Sequence, residues 1–410
     1  MNTRRYDIDW LRIGAVLLLF PFHIARIFNL GEDFYVRDVV ASKSLSYIVE
    51  FLNPWHMPLL FLLAGASTWF ALSHRGAGGY VVERLKRLLV PFLFGFLVIV
   101  PPQSYLGLVS HGGVHDSFFA WLPSFFHPNA ADGGAYTLGG MTFGHLWFIM
   151  HLLVYSVLAL PIVLFLRHRT GKRVIDWLAK LATRRGLILL FALALTVAIP
   201  VPDMYGGNPV YLGMFFLLGY VLTSDVRFER AIDRHKLAAL LLGFIPCLGI
   251  AYFEVRGWPA LSPLAASLVD FAHYLLIPWF CLIATLGYGR RFLNFSNRFL
   301  KYAAQASYPV YLLHQTVIVA VGFFVVRWGV GAPVKFAAIL AGSLIATFLI
   351  YDLLARRLNV LRFLFGMKML RQHPEVARSI ELPAERPALD VTLAALTSPQ
   401  DTSVRLGGVG

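Results

Sequence analysis

Ten runs of mostly apolar residues alternate with short polar segments along the chain, near residues 9–30, 47–72, 88–108, 143–166, 186–202, 208–224, 236–255, 266–287, 305–327 and 333–354. A helix needs about 20 such residues to cross a bilayer. The pattern therefore predicts an all-α integral membrane fold with about ten transmembrane helices. The fifth and sixth runs are short and meet at Pro200, Pro202, Gly206 and Gly207, which predicts a tight hairpin. The longest gap, roughly 109–142, lacks Lys and Arg and contains SFFAWLPSFFHP. It is expected to lie on the membrane interface as an amphipathic or re-entrant piece, anchored by Phe118, Phe119, Trp121, Phe125 and Phe126. Residues 372–410 have scattered charges, Pro and Gly and little periodicity, and are expected to be a disordered cytoplasmic tail. Residues 1–371 then form one transmembrane domain, with no internal repeat.

Charge fixes the expected orientation. With the N-terminus inside, the inner segments hold twenty-six Lys and Arg and the outer segments five, namely Arg37, Lys43, Arg256, Arg327 and Lys335. That bias predicts both termini in the cytoplasm. Composition agrees: of 410 residues, 58% are hydrophobic and 14% charged, with a mean hydropathy of +0.66. The net charge of +14 sits in loops as an orientation signal, which argues against a nucleic-acid partner. Cys247 and Cys281 both lie in apolar runs and form no disulfide framework or metal spacing. The first run passes His23 without a small-residue cleavage site, so it is expected to be kept as a membrane helix.

Polar residues inside these runs carry the chemistry. A charge at the centre of a spanning helix costs about 2.5–3.5 kcal/mol, so such residues usually face a protein interior and act there. At about 100° per residue, Arg12 and His23 fall within roughly 20° of one line, with Asp9 and Arg26 within about 60° of it. One polar stripe thus climbs the first helix, its imidazole about 16 Å above its guanidinium. The second run holds His56 between Pro54 and Pro58, which are expected to break the backbone ladder near mid-depth. His145, Trp147 and His151 open the fourth, Asp270 and His273 lie in the eighth, and Tyr311 and His314 in the ninth. Arg84 and Arg87, three apart before the third run, would present two forks to one side of a helix and suit a phosphate. Paired histidines across two helices could also ligate haem, whereas the HExxH spacing of a zinc site is absent. Neither accounts for Arg12, because a cation leading inward from a histidine suits an anionic substrate.

At these residues the chain resembles the acyltransferase type 3 family of integral membrane acyltransferases. Asp9 in DIDWLR with Arg12 and His23 is similar to the family's first-helix signature. PLLFLLAG at 58–65, RLKR at 84–87, HLWF at 145–148 and SYPVYLLH at 307–314 match further elements in family order, over about residues 4–355. Pro21-Phe22-His23, with no fused hydrolase-like domain, is similar to the branch that modifies periplasmic glucans. Three positions depart from the pattern: Ile13 replaces Gly, Ala64 replaces Ser, and Asp352 replaces Glu.

The resemblance implies acyl transfer from cytoplasmic acyl-CoA, with no metal, to a hydroxyl of a glycan outside the bacterial inner membrane. An anionic donor suits the basic inner mouth. On that reading His23 is the general base, Arg12 holds the donor or steadies charge on the thioester oxygen, and Asp9 orients Arg12. Arg84 and Arg87 hold CoA phosphates. His145, Trp147, Tyr311, His314 and His56 line the substrate cavity. Arg26 either binds a succinyl carboxylate or snorkels outward. Two rivals use the same residues: a transporter or flippase for a glycan or lipid with a polar pathway, and a structural subunit of a glycan synthase, which would tolerate loss of Arg12.

Overall fold

The computed structural model of the chain describes residues 5–31, 34–113, 116–127 and 141–370. The Gly-rich stretch 128–140 and the expected tail 372–410 lie outside the described residues. Contacts gather Met1–Met369 into one unit, and everything below belongs to it.

The described residues are helical, with no strand beyond an isolated bridge between Met204 and Gly207. In chain order the helices are α1 (Tyr6–Arg26), α2 (Lys43–Ser73), α3 (Ala77–Ser110), α4 (Phe118–Phe125), α5 (Gly144–Leu158), α6 (Leu160–Arg167) and α7 (Arg169–Thr183). A 3-10 helix (Leu189–Ala198) follows. Then come α8 (Pro209–Ser224), α9 (Val226–Arg256), α10 (Pro263–Phe292), α11 (Arg298–Val325), α12 (Ala332–Ala355) and α13 (Asn359–Leu364). Seven of these, α1, α2, α3, α9, α10, α11 and α12, are long and apolar enough to cross a membrane. The bent pair α5 and α6, kinked by 45°, makes an eighth if it is one span. The 3-10 helix and α8 are shorter apolar pieces. Each expected run lands on one of these elements.

Several local expectations change. Pro54 and Pro58 do not break α2, which runs unbroken through 31 residues. α3 is not a regular helix: it winds as π-turns over Leu85–Leu89 and Gly95–Ile99. α4 is the expected piece at 118–125, but Trp121 and Phe125 are buried in the protein. Only Phe119, 81% exposed, and Phe126 remain as strong outward anchors. The loop at 167–185 contains an unexpected amphipathic helix, α7. Its Gly171, Ile175, Ala179 and Ala182 face the protein, while Trp177, Lys172, Arg173 and Lys180 are exposed.

Helix faces follow the logic of a membrane protein. Leu237, Leu241, Ile245, Leu248 and Tyr252 form one exposed apolar stripe on α9. Its opposite side carries the small residues Ala239, Gly243 and Cys247, all buried against neighbouring helices. Without a hydrophobic drive between helices in lipid, small residues permit the close approach that gives packing energy. α2 and α8 carry this furthest. A Cβ at Gly65 would lie 1.8 Å from the Phe216 carbonyl oxygen, and one at Gly219 would lie 1.9 Å from that of Leu62. The two backbones therefore touch reciprocally. The hairpin before α8 closes through Gly206, at φ 97°, where any side chain would also strike the Trp147 indole.

The three departures from the family pattern are accommodated. Ile13 packs with Leu300 and Ala303 in a small cluster of its own. The Ala64 carbonyl accepts the Thr68 hydroxyl at 3.1 Å. Asp352 accepts Tyr302 at 2.8 Å and Arg356 at 3.1 Å.

Overpacking a helical interior costs about 1–3 kcal/mol, and backbone is less yielding than side chains. Gly219→Leu should therefore lower thermal unfolding in detergent sharply, whereas Gly14→Leu, with nothing within 4 Å, should leave it within a degree or two.

Candidate active site

The polar stripe of α1 resolves into two sites. At its basic end Asp9 pairs with Arg12 at 3.4 Å, and Arg12 donates to the Ser67 hydroxyl on α2 at 2.6 Å. The next residue of α2, Thr68, accepts Arg84 at 3.4 Å and shares a hydrogen bond of 3.1 Å with the Tyr80 hydroxyl. Consecutive residues of α2 thus bring Arg12 and Arg84 toward a common region. Ser67 and Thr68 had no charge to mark them in the sequence.

Arg84 and Arg87 are not stacked on one face, because a π-turn starts between them and widens the winding. The Arg84 guanidinium sits 4.9 Å over the Tyr80 ring, while Arg87 pairs with Glu83 at 3.3 Å. Glu83 also meets Arg75. Both charges nevertheless bear on the hydroxyl of Tyr308, which is buried and without a partner.

The second site lies where α1 ends and α5 begins. His23, His145 and His314, 5%, 3% and 0% exposed, come together from α1, α5 and α11. His314 stands between the others, its ring centre 5.2 Å from that of His23 and 5.0 Å from that of His145. His145 Nε2 reaches the Leu312 carbonyl at 2.9 Å, and the Tyr311 hydroxyl donates back to the His145 carbonyl. This two-way clasp ties α5 to α11. His314 Nδ1 is 2.5 Å from the Tyr311 carbonyl. The three imidazoles therefore share one level, near the end of α1 and the start of α5. Buried Arg26 adjoins His23 on α1 and does not snorkel. Among the described residues no group of three His, Cys, Asp or Glu side chains is arranged to hold a metal.

His56 and Trp147 make other contacts. His56 Nε2 is taken by the Ala15 carbonyl at 2.6 Å, so the ring joins α2 to α1. Trp147 stacks over Gly206 and lies 6.3 Å from Phe61, which in turn packs on Phe148 and Tyr155.

A strap of chain after α1 covers the histidines. Phe34 stacks on His23 at 5.9 Å, and Tyr35 beside it meets Gln103 at 3.4 Å. Gln103 in turn accepts the Thr316 hydroxyl at 3.1 Å. The strap is fastened by backbone bonds from Asp38 to Ile27 and from Ser42 to Phe28, and by an ion pair of 2.5 Å between Lys335 and Asp38, 9% and 3% exposed. Lys335 also donates to the Val326 carbonyl at 2.8 Å.

The family model of the acyltransferase domain, type 3, matches residues 5–352 and so takes in both sites. The chain belongs to that family. It is an acyltransferase of groups other than amino-acyl groups, and a multi-pass membrane protein. Glucans biosynthesis protein C of Escherichia coli O139:H28 (strain E24377A / ETEC) is 22% identical over 388 residues, 89% of this chain and 95% of that protein. The protein of the same name from Escherichia coli (strain K12) is 22% identical over 386 residues, with the same coverage. No solved structure matches.

Removing one partner of a buried ion pair costs about 3–5 kcal/mol, because the other charge stays buried alone. Lys335→Met should therefore lower the thermal unfolding midpoint clearly, and Lys335→Met with Asp38→Leu should restore most of the loss.

Proposed function

We propose that this acyltransferase moves an acyl group, acetyl or succinyl, from cytoplasmic acyl-CoA to a hydroxyl of a cell-envelope glycan across the bacterial inner membrane. The relatives' printed name points to a glucan as the acceptor. The chain then crosses the membrane ten times, with the 3-10 helix, α8 and the α5–α6 pair as shorter spans and both termini inside. One observation carries the reading: α1 holds a buried imidazole and, eleven residues and a rise of about 16 Å earlier, a guanidinium, each among groups from other helices.

That separation divides the labour. Arg12 is too far from His23 to touch the same carbonyl, so its task is to hold the donor along its length. Asp9 fixes the Arg12 fork. Arg84 and Arg87 hold the phosphates, beside Tyr308. Arg26, three residues beyond His23, is the cation near the reacting carbonyl. His23 Nδ1 is buried without a partner, which leaves Nε2 to meet the substrate. The hydroxyl gives its proton to His23 Nε2 as its oxygen joins the acyl carbon. The carbon–sulfur bond breaks, and His23 returns the proton to the departing thiolate. Thioester and alcohol become ester and thiol, with no net proton taken up. Phe34 covers His23 from the outer side, so the acceptor reaches it once the strap shifts. A transporter would use such a polar path too, but membership in an acyltransferase family favours chemistry.

The test uses membranes given labelled acyl-CoA. His23→Ala should lower turnover by about 10²–10⁴-fold in folded protein. Arg84→Ala with Arg87→Ala should raise the KM for acyl-CoA by about tenfold or more, since a hydrogen bond to a charged group contributes roughly 1.5–3 kcal/mol. Normal product formation by folded His23→Ala would remove the reading.

A further inference from the structure

His314 has a feature that cavity lining does not explain. Its Nδ1 faces the Tyr311 carbonyl, which only accepts, so the ring proton sits on Nδ1. The neutral ring then presents Nε2 as a lone pair, and that atom is buried with no partner. His145 is set the same way: Nε2 donates to the Leu312 carbonyl, and Nδ1 is left as a buried, unpartnered lone pair. A buried unsatisfied group costs about 1–3 kcal/mol. The fold thus keeps two imidazole acceptors idle beside His23, whose own buried Nδ1 is idle too. If His23 offers Nε2 to the substrate, its ring proton is on Nδ1, which makes that atom a donor. A donor and an acceptor that match each other belong to rings centred 5.2 Å apart.

We propose that His314 is a positioning residue for His23, an inference that rests on His23 being the base. When His23 Nε2 takes the hydroxyl proton, the His23 Nδ1–H donates to His314 Nε2. The bond fixes the tautomer of His23 and shares the positive charge it carries during transfer. His314 keeps its own proton on the Tyr311 carbonyl and exchanges none. The Tyr311 and His145 clasp holds His314 in register, which gives the SYPVYLLH segment a mechanical reason to place both residues three apart.

His314→Phe and His314→Gln separate this role from packing, in membrane-embedded full-length protein checked for folding. Phe fills the ring site beside Phe20 and Tyr311, but accepts nothing. Gln packs less well and places a carbonyl oxygen near the lost Nε2. Turnover by His314→Phe should fall about 100-fold or more, with the KM for acyl-CoA within about threefold of the parent. His314→Gln should recover at least about tenfold of that loss. The inference is overturned if Phe retains as much activity as Gln, whether both are fully active, equally impaired or in reverse order. His23→Ala, run beside them, reports on the base itself: activity there sinks the assignment of His23, while inactivity there with an active His314→Phe sinks only the role of His314.

Discussion

Everything in this fold answers to one constraint: ionisable groups inside an apolar layer must find their partners within the protein. α1 carries such groups along its whole length, and they are met both by neighbours in sequence and by other elements. Asp7 pairs with Arg5, and Arg5 with Glu229 of α9, which also takes Arg290 of α10 at 2.8 Å. Arg12 is met by Asp9 and Ser67. His23 is met by Phe34 of the strap and by His314 of α11. These partners fix which helices may surround α1 and in what register. A helix without the stripe would have left α2, α11 and the strap no polar reason to converge.

The surrounding helices approach closely where the chain is small and are clasped where it is polar. Gly65 and Gly219 let α2 and α8 touch backbone to backbone. His56 links α2 to α1, and the His145–Tyr311 clasp links α5 to α11. In the layer without water, a side chain bonded to a carbonyl of another helix restrains rotation as well as separation. The polar groups of α1, α5 and α11 are therefore held by neighbours whose geometry is already determined.

Much of this was legible in the residues. Helix position follows from apolar run length, though only seven helices among the described residues, or eight with the bent pair, are long and apolar enough to cross a membrane, and the α1 stripe follows from periodicity alone. The meeting of His23, His145 and His314 was visible only as separate polar residues in three runs, because sequence spacing says nothing of contact between distant helices. Ser67, Thr68, Gln103 and Thr316 carry no charge, so nothing singled them out. The continuity of α2 misled for a physical reason. Proline removes one donor and need not end a helix whose neighbours satisfy the freed groups. The π-turn at Leu85–Leu89 was equally hidden, since a regular helix is the default reading of RLKR. Trp121 and Phe125 look like interface anchors by type, yet contacts with Tyr105 and Phe96 draw them inward.

On the proposed function, one extended donor joins Arg84, Arg87 and Arg12 to the histidine cluster, His23 lying about 16 Å along α1 from Arg12. The most direct measurement is the structure of the protein bound to a thioether analogue of acyl-CoA. The account predicts phosphates at Arg84 and Arg87, the arm of the donor running past Arg12, and the acyl carbon about 3–4 Å from where a hydroxyl on His23 Nε2 would stand. An analogue whose acyl carbon stops short of His23, or whose phosphates bind away from Arg84 and Arg87, would contradict it.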